Sequence, residues 1–229
     1  MTLELALLIL ESVLLVFTLL ILLYSIREGR SRARLLLEVD RATKTFTRLE
    51  YFLSVVDSLG DAQSEVRGVI TGRPPSGTDL KRTKDIIGAI ERASASGVKL
   101  RYLLPRFQDR LKIGHQYKDA GAEIRYITCP SLHDLRYMTV DDNVTIIGLP
   151  EKTGDREATK KGYSVVSEGL THILKEYFEE CWASAIDYDQ YLVEVIRHTN
   201  ASPKQLSQEL GLEETEVARV WDKQNPREA

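Results

Sequence analysis

Hydrophobic positions are spread unevenly along this chain. Residues Leu5 to Tyr24 (LALLILESVLLVFTLLILLY) form a run of 20, almost all apolar. As a helix rising about 1.5 Å per residue, it would reach roughly 30 Å, the thickness of a bilayer core. The start, MTLELA, lacks the basic stretch of a signal peptide, and the run passes into SIREGRSRAR with no small-residue cleavage site. The pattern therefore predicts a retained transmembrane anchor over residues 1–26. Arg27, Arg30, Arg32 and Arg34 follow at once with nothing basic ahead. By the positive-inside tendency this makes a single-pass protein with its N-terminus outside and its bulk in the cytoplasm.

Beyond the run, Leu35, Val39, Ala42, Phe46, Leu49, Leu53 and Val56 alternate spacings of four and three, as in a coiled-coil seam. Stepping back by sevens from Val39 reaches Arg32, Ser25, Thr18, Glu11 and Glu4. One register thus joins the polar residues of the span to the seam. This predicts a helical stalk over residues 27–60 and a parallel homodimer through the span and residues 35–56. Segment 27–48 also carries seven Lys/Arg against three acids, suited to anionic lipid headgroups.

From Glu65 the period shifts between strand and helix. EVRGVITG (65–72), KLRYLLP (99–105), AEIRYIT (122–128), RYMTVDD (136–142), VTIIG (144–148) and YSVVS (163–167) read as strands. Residues 79–96, 106–121 and 170–185 read as helices, the first two ending at Gly97 and Gly121. Residues 149–162 read as a polar loop. The order predicts an α/β sandwich over residues 61–186, a mixed sheet covered by helices. After it, residues 187–229 read as a separate three-helix unit. Its signals are a helix over 188–198, Ser202-Pro203 opening a second, and Gly211-Leu212 turning into a third near Glu213.

Composition narrows the partners. The 229 residues hold 31 Lys+Arg and 34 Asp+Glu, a net charge of −3, so no global positive field is available to hold a nucleic-acid backbone. Cys129 and Cys181 lie 52 residues apart with no second ligand pair, which argues against a zinc site or a disulfide framework. No metal and no cofactor is expected. Gly72-Arg-Pro-Pro-Ser-Gly77-Thr78 has phosphate-loop spacing, but it lacks the Lys and its prolines remove backbone donors; it reads as a surface loop. His115, His172 and the run YFEECW (177–182) read as surface or packing features.

The segments AIERASASGVKLRYLLP, YKDAGAEIRYI, RYMTVDDNVTIIGLPE and GYSVVSEGLTHILKEYFEECWASA follow one another as the helix, strand, motif hairpin and closing helix of a phospholipase D repeat. The chain resembles that superfamily over residues 63–186. Active members carry H-x-K-x4-D on the hairpin. Two such motifs, from two repeats or two subunits, build one site in which a His attacks phosphorus, the opposite His acts as general acid and the Lys residues hold the phosphate. Here the aligned stretch is D-L-R-Y-M-T-V-D. Asp134 stands at the His position, Arg136 at the Lys position and Asp141 at the Asp position. Arg136 can grip an oxyanion bidentately. Asp134 cannot replace an attacking imidazole, and it would repel a phosphodiester. His133 is one residue out of register, which on a strand turns it to the opposite face unless a bulge intervenes. The resemblance thus implies a ligand site at His133, Asp134, Arg136 and Asp141 from which the catalytic residue is missing.

SPKQLSQELGLEETEVARVW resembles a helix-turn-helix, a module whose last helix enters the major groove. Residues 187–229, however, hold nine acids against five bases, and the last helix opens with Glu213, Glu214 and Glu216. That charge disfavours nucleic acid and favours a protein partner. Three readings emerge. The first and preferred one is a membrane-anchored, dimeric, non-catalytic phospholipase-D-like sensor or scaffold. The others are an anchored phosphodiesterase using a shifted His133, and a membrane-tethered transcription regulator.

Overall fold

The computed structural model describes residues 43–71, 79–128, 136–150, 159–199 and 202–224, with Thr18, Pro75 and Gly77 as isolated positions. The apolar run 5–24 lies outside these residues apart from Thr18, as does the stalk up to residue 42. Among the described residues no helix is long and apolar enough to cross a membrane. Residues from Lys44 onward form one compact unit.

Thr43–Thr47 is a strand, β1, and the helix α1 starts only at Arg48 and runs to Asp61. This corrects the expectation of one continuous seam over residues 35–56. Three β-branched threonines at alternate positions, TKTFT, favour extended backbone. Thr47 then caps α1: its hydroxyl accepts from the Glu50 amide at 3.4 Å, and the Glu50 carboxylate accepts from the Thr47 amide at 2.8 Å. Phe46 belongs to the strand, so only Leu49, Leu53 and Val56 of the expected seam lie on α1.

The succession continues as β2 (Glu65–Val69), α2 (Asp79–Ala95), β3 (Lys99–Pro105), a 3-10 turn (Gln108–Arg110), α3 (Leu111–Asp119) and β4 (Glu123–Ile127). It then runs through β5 (Arg136–Val140), β6 (Val144–Pro150), β7 (Thr159–Val166), α4 (Glu168–Ser184) and β8 (Ile186–Asp187). The sheet order is β1-β7-β6-β5-β2-β3-β4-β8. β2, β3 and β4 pair in parallel, as their helical crossovers require, and β5, β6 and β7 form an antiparallel meander against β2. The span 149–162, expected as loop, is shorter than that. Leu149 pairs with Lys161 and Pro150 with Thr159, so both strands run into it.

Each strand sends alternate residues to opposite faces. Val66, Leu100, Tyr102, Leu104, Ile124, Tyr126, Met138, Val140 and Ile146 pack with α1, α2 and α3. Val69, Leu103, Ile127 and Tyr137 pack on Leu174, Phe178, Cys181 and Trp182 of α4. The YFEECW run is thus the buried face of α4, as its spacing suggests. Beside it, Arg101 of β3 is nearly enclosed. It donates to Glu179 of α4 and to Glu65 of β2, and its guanidinium lies 5.4 Å from the Phe178 ring centroid and 5.3 Å from that of Trp182.

Residues 187–224 do not stand apart. Helices α5 (Tyr188–Thr199), α6 (Pro203–Leu210) and α7 (Glu214–Gln224), with Leu212 between the last two, bury Leu192, Ile196, Leu206, Leu212, Val217 and Val220 in the same core as the sheet. The predicted signals operate as expected. Ser202 and Gln205 form a capping box ahead of Pro203, and Gly211 turns the chain with φ +63°. The separate unit expected from the sequence becomes a continuation of the main core, because the apolar faces of these helices have only the sheet's helical layer to cover them. Glu216 is turned inward and accepts from Lys118 of α3 at 3.2 Å, while Glu213 and Glu214 are exposed.

Candidate functional site

Of the motif positions, Arg136 is the first residue of β5 and Asp141 follows its last. His133 and Asp134 lie outside the described residues. Arg136 and Asp141 are both described, and β5 holds them apart. Arg136 opens the strand, opposite Gly148, and Asp141 follows its far end. At about 3.3 Å per residue, five residues separate their backbones by roughly 16 Å. One ligand pocket comprising both, as the motif spacing suggests, does not form.

Asp141 has a structural task. It turns the β5–β6 hairpin with φ +49°, a conformation that Asp and Asn tolerate better than most residues. Its carboxylate accepts from the amides of Gln63 at 3.0 Å, Ser64 at 2.8 Å and Glu65 at 3.1 Å, and from the Ser64 hydroxyl at 2.7 Å. Burial pushes its pKa up, but these donors together outweigh it and hold the carboxyl below its ordinary range. The motif's Asp position thus ties the α1–β2 connection to the hairpin.

Arg136 points to the sheet face covered by α1. It is 4% exposed, and its Nη1 donates to the Thr159 hydroxyl at 2.9 Å. Arg136, Gly148 and Gly162 are paired neighbours across β5, β6 and β7. The two glycines leave a trough in the sheet, and the Tyr51 ring of α1 occupies it. A Cβ on Gly162 would stand 2.9 Å from the Tyr51 Cβ, and one on Gly148 would stand 2.9 Å from the Tyr51 hydroxyl. Burial pushes the Tyr51 phenol up to about 12, with Arg136 pulling the other way, so the hydroxyl stays protonated and can donate. Arg48, the first residue of α1, donates from Nη1 to the Thr159 carbonyl at 2.6 Å and pairs through Nη2 with Asp79, which also pairs with Arg82.

Two guanidinium groups therefore converge on Thr159, one on its hydroxyl and one on its carbonyl, beside a protonated phenol. The arrangement gathers donors and positive charge, offset at Arg48 by Asp79, on a buried part of the sheet face, the kinds of group that hold an oxyanion. It contains no described imidazole. The described histidines sit on α3 (His115), α4 (His172) and α5 (His198), and His115 lies against Tyr188 with ring centroids 5.9 Å apart. Of the Gly72–Thr78 loop only Pro75 and Gly77 are described.

Sequence reasoning located Arg136 and missed Tyr51, Thr159 and Arg48. Gly162 was a usable signal, since a glycine paired with the hairpin glycine implies that a bulky group crosses there. Tyr51 carried none, because α1 reads as stalk until β1 interrupts it.

No protein-family model matches the chain, and no curated protein sequence matches it. Among solved structures it is similar to Nuc, a phospholipase D family member from Salmonella typhimurium. The TM-score is 0.50 at 13% identity over 64% of this chain and 97% of Nuc. The fold is phospholipase-D-like. Weaker likenesses of the same extent are to NucT from Helicobacter pylori, with TM-score 0.47, 13% identity and 63% and 98% of the two chains covered. A third is to TrmBL2, an archaeal chromatin protein described as having a novel mode of DNA binding, with TM-score 0.46 and 21% identity over 64% of this chain. The present chain spans about half of TrmBL2, 53% of its length. In this phospholipase-D-like fold Arg136 opens the β5–β6 hairpin, with Thr159 and Tyr51 among its neighbours.

Proposed function

We propose that this chain is a single-pass, dimeric membrane protein whose phospholipase-D-like domain binds an anionic ligand at Arg136 on the cytoplasmic face, as a sensor or scaffold, without hydrolysing it. One observation carries the reading: a buried Arg136, held by Thr159 and flanked by Tyr51, stands at the motif's phosphate-holding position, while the motif's nucleophile position is Asp134. A guanidinium binds a phosphate oxyanion through fixed parallel donors and takes no part in displacement at phosphorus. Asp134 supplies no imidazole to attack phosphorus, so an anion held at Arg136 is not turned over. The run 5–24 supports the anchor, and the shared heptad register of span and early stalk supports the dimer up to residue 42.

The test uses the full chain in detergent micelles. Inorganic phosphate and glycerol phosphate are titrated by calorimetry, and bis(p-nitrophenyl) phosphate is offered as a substrate. Saturable binding that weakens at least tenfold in Arg136→Gln, and measurably in Tyr51→Phe, with no turnover, is the expected result. Turnover that disappears in His133→Ala would replace this reading with the phosphodiesterase one.

A further inference from the structure

On the outer side of α1, away from Arg136, a groove of about 680 Å³ runs between α1 and α2. Its walls differ in kind. The α1 side contributes Leu49, Phe52, Leu53 and Val56, spaced at three and four residues on one helical face. Leu49 is 50% and Leu53 54% exposed, unusual for leucines at helical core spacing. The α2 side contributes Lys81, Arg82, Lys84 and Arg92 against one acid in the lining, Asp85, with Arg82 also paired to Asp79 beyond it, which leaves a net charge of about +2. Arg82 lies with its guanidinium 5.6 Å from the Phe52 ring centroid, so charge and apolar surface are interleaved.

We propose that this groove is a docking face for a bilayer surface containing anionic phospholipid. The leucines enter the headgroup region and the α2 bases meet the lipid phosphates, the division of labour of interfacial amphipathic surfaces. Two features select this occupant over a second copy of the chain. Pairing two identical grooves would bring together two net positive rims, whereas an anionic bilayer complements the rim. The groove is also close in sequence to the apolar run, because only 24 residues separate Tyr24 from Leu49. Of these, 43–48 belong to β1 and the first turn of α1, and residues 25–42 reach at most about 65 Å, so a tethered domain samples the membrane surface at millimolar effective concentration, and a weak intrinsic affinity is enough to hold it there. This tethering argument rests on the anchored reading above; the charge argument does not.

The experiment is lysine footprinting of the full chain in nanodiscs of phosphatidylcholine alone or of phosphatidylcholine and phosphatidylglycerol at three to one. Acetylation of Lys81 and Lys84 is compared with that of Lys99 and Lys204, both exposed elsewhere. Protection of Lys81 and Lys84 by at least fivefold in the anionic discs only, reversed at 0.5 M salt and absent for Lys84 in the Leu53→Ser/Lys81→Glu variant, is expected. Equal acetylation in both lipids overturns the proposal. So does protection in lipid-free detergent that rises with protein concentration, which would assign the groove to a second copy. Failure of the chain to co-elute with discs overturns the anchor alone. In that case the same chain is floated with vesicles of the two compositions, where flotation only with the anionic ones sustains the docking face and its absence overturns it.

Discussion

The Arg136 guanidinium donates to the Thr159 hydroxyl at 2.9 Å, joining the first residue of β5 to the first residue of β7 across the strand between them. Both residues are buried, so the hydroxyl compensates a charge largely withdrawn from bulk water. Thr159→Val keeps the shape and removes the acceptor. Loss of a hydrogen bond to a buried charge is expected to cost about 1.5–3 kcal/mol, read as a lower urea midpoint at unchanged slope. Phosphate binding should weaken in the same variant, because the guanidinium is no longer aimed.

The trough filled by Tyr51 makes a second prediction. Gly162→Ala places a methyl 2.9 Å from the Tyr51 Cβ, close enough that ring or helix must shift. Overpacking of this kind costs about 1–3 kcal/mol. Tyr51→Leu in the same chain should recover part of that loss, giving a coupling energy of at least 0.5 kcal/mol in a double-mutant cycle. Additive effects would mean that the ring does not sit on Gly162.

Asp141 confers a pH dependence whose sign follows from its lowered pKa. Its stabilising contribution is fully present above the unfolded value near 3.9 and is lost as pH falls through the lower folded value. Asp141→Asn retains tolerance of the positive φ and removes the charge that accepts from Gln63, Ser64 and Glu65. It should therefore destabilise the protein by about 1.5–3 kcal/mol at pH 7, with the gap to the parent closing towards pH 2 in parallel urea titrations. A gap constant with pH would show that the ionised form is not the one stabilised.

Arg101 tests geometry against charge. It bridges Glu179 and Glu65 while stacking beside Phe178 and Trp182. Lysine preserves the charge but supplies neither the planar fork nor the stacked face. Arg101→Lys is expected to lower stability by about 1–3 kcal/mol in thermal unfolding, and Glu179→Gln by less, since Glu179 remains accessible to water.

Much of the architecture was legible before any coordinates. β3 is predicted at its observed bounds because Leu100, Tyr102, Leu103 and Leu104 cluster between the turn signals Gly97 and Pro105. Gly97, Gly121 and Gly211 mark helix exits because each adopts positive φ there. The seam over residues 35–56 failed at Thr43–Thr47, where alternating threonines and a capping box overrode a heptad pattern that Phe46 happened to continue. The 187–229 segment was separated too early, because sequence periodicity shows that a helix has an apolar face and says nothing of which neighbour covers it. Arg136 was legible from a local spacing. Its companions Tyr51 and Thr159 lie 85 residues before and 23 after it, beyond the reach of any local pattern.

Short-range physics is written along the chain: strand and helix periods, caps, the apolar run at the N-terminus, and an Asp134 where the resemblance leads one to expect a histidine. The tertiary structure alone decided what shares a surface. Register set Arg136, Gly148 and Gly162 in one row, and the α1 packing brought Tyr51 over them. The length of β5 divided Arg136 from Asp141, making one a candidate anion ligand and the other a structural tie. The reason is physical. A residue's intrinsic chemistry and its local backbone preferences are encoded at its position, whereas burial, convergence of charge and the pairing of distant strands exist only once the chain has folded back on itself.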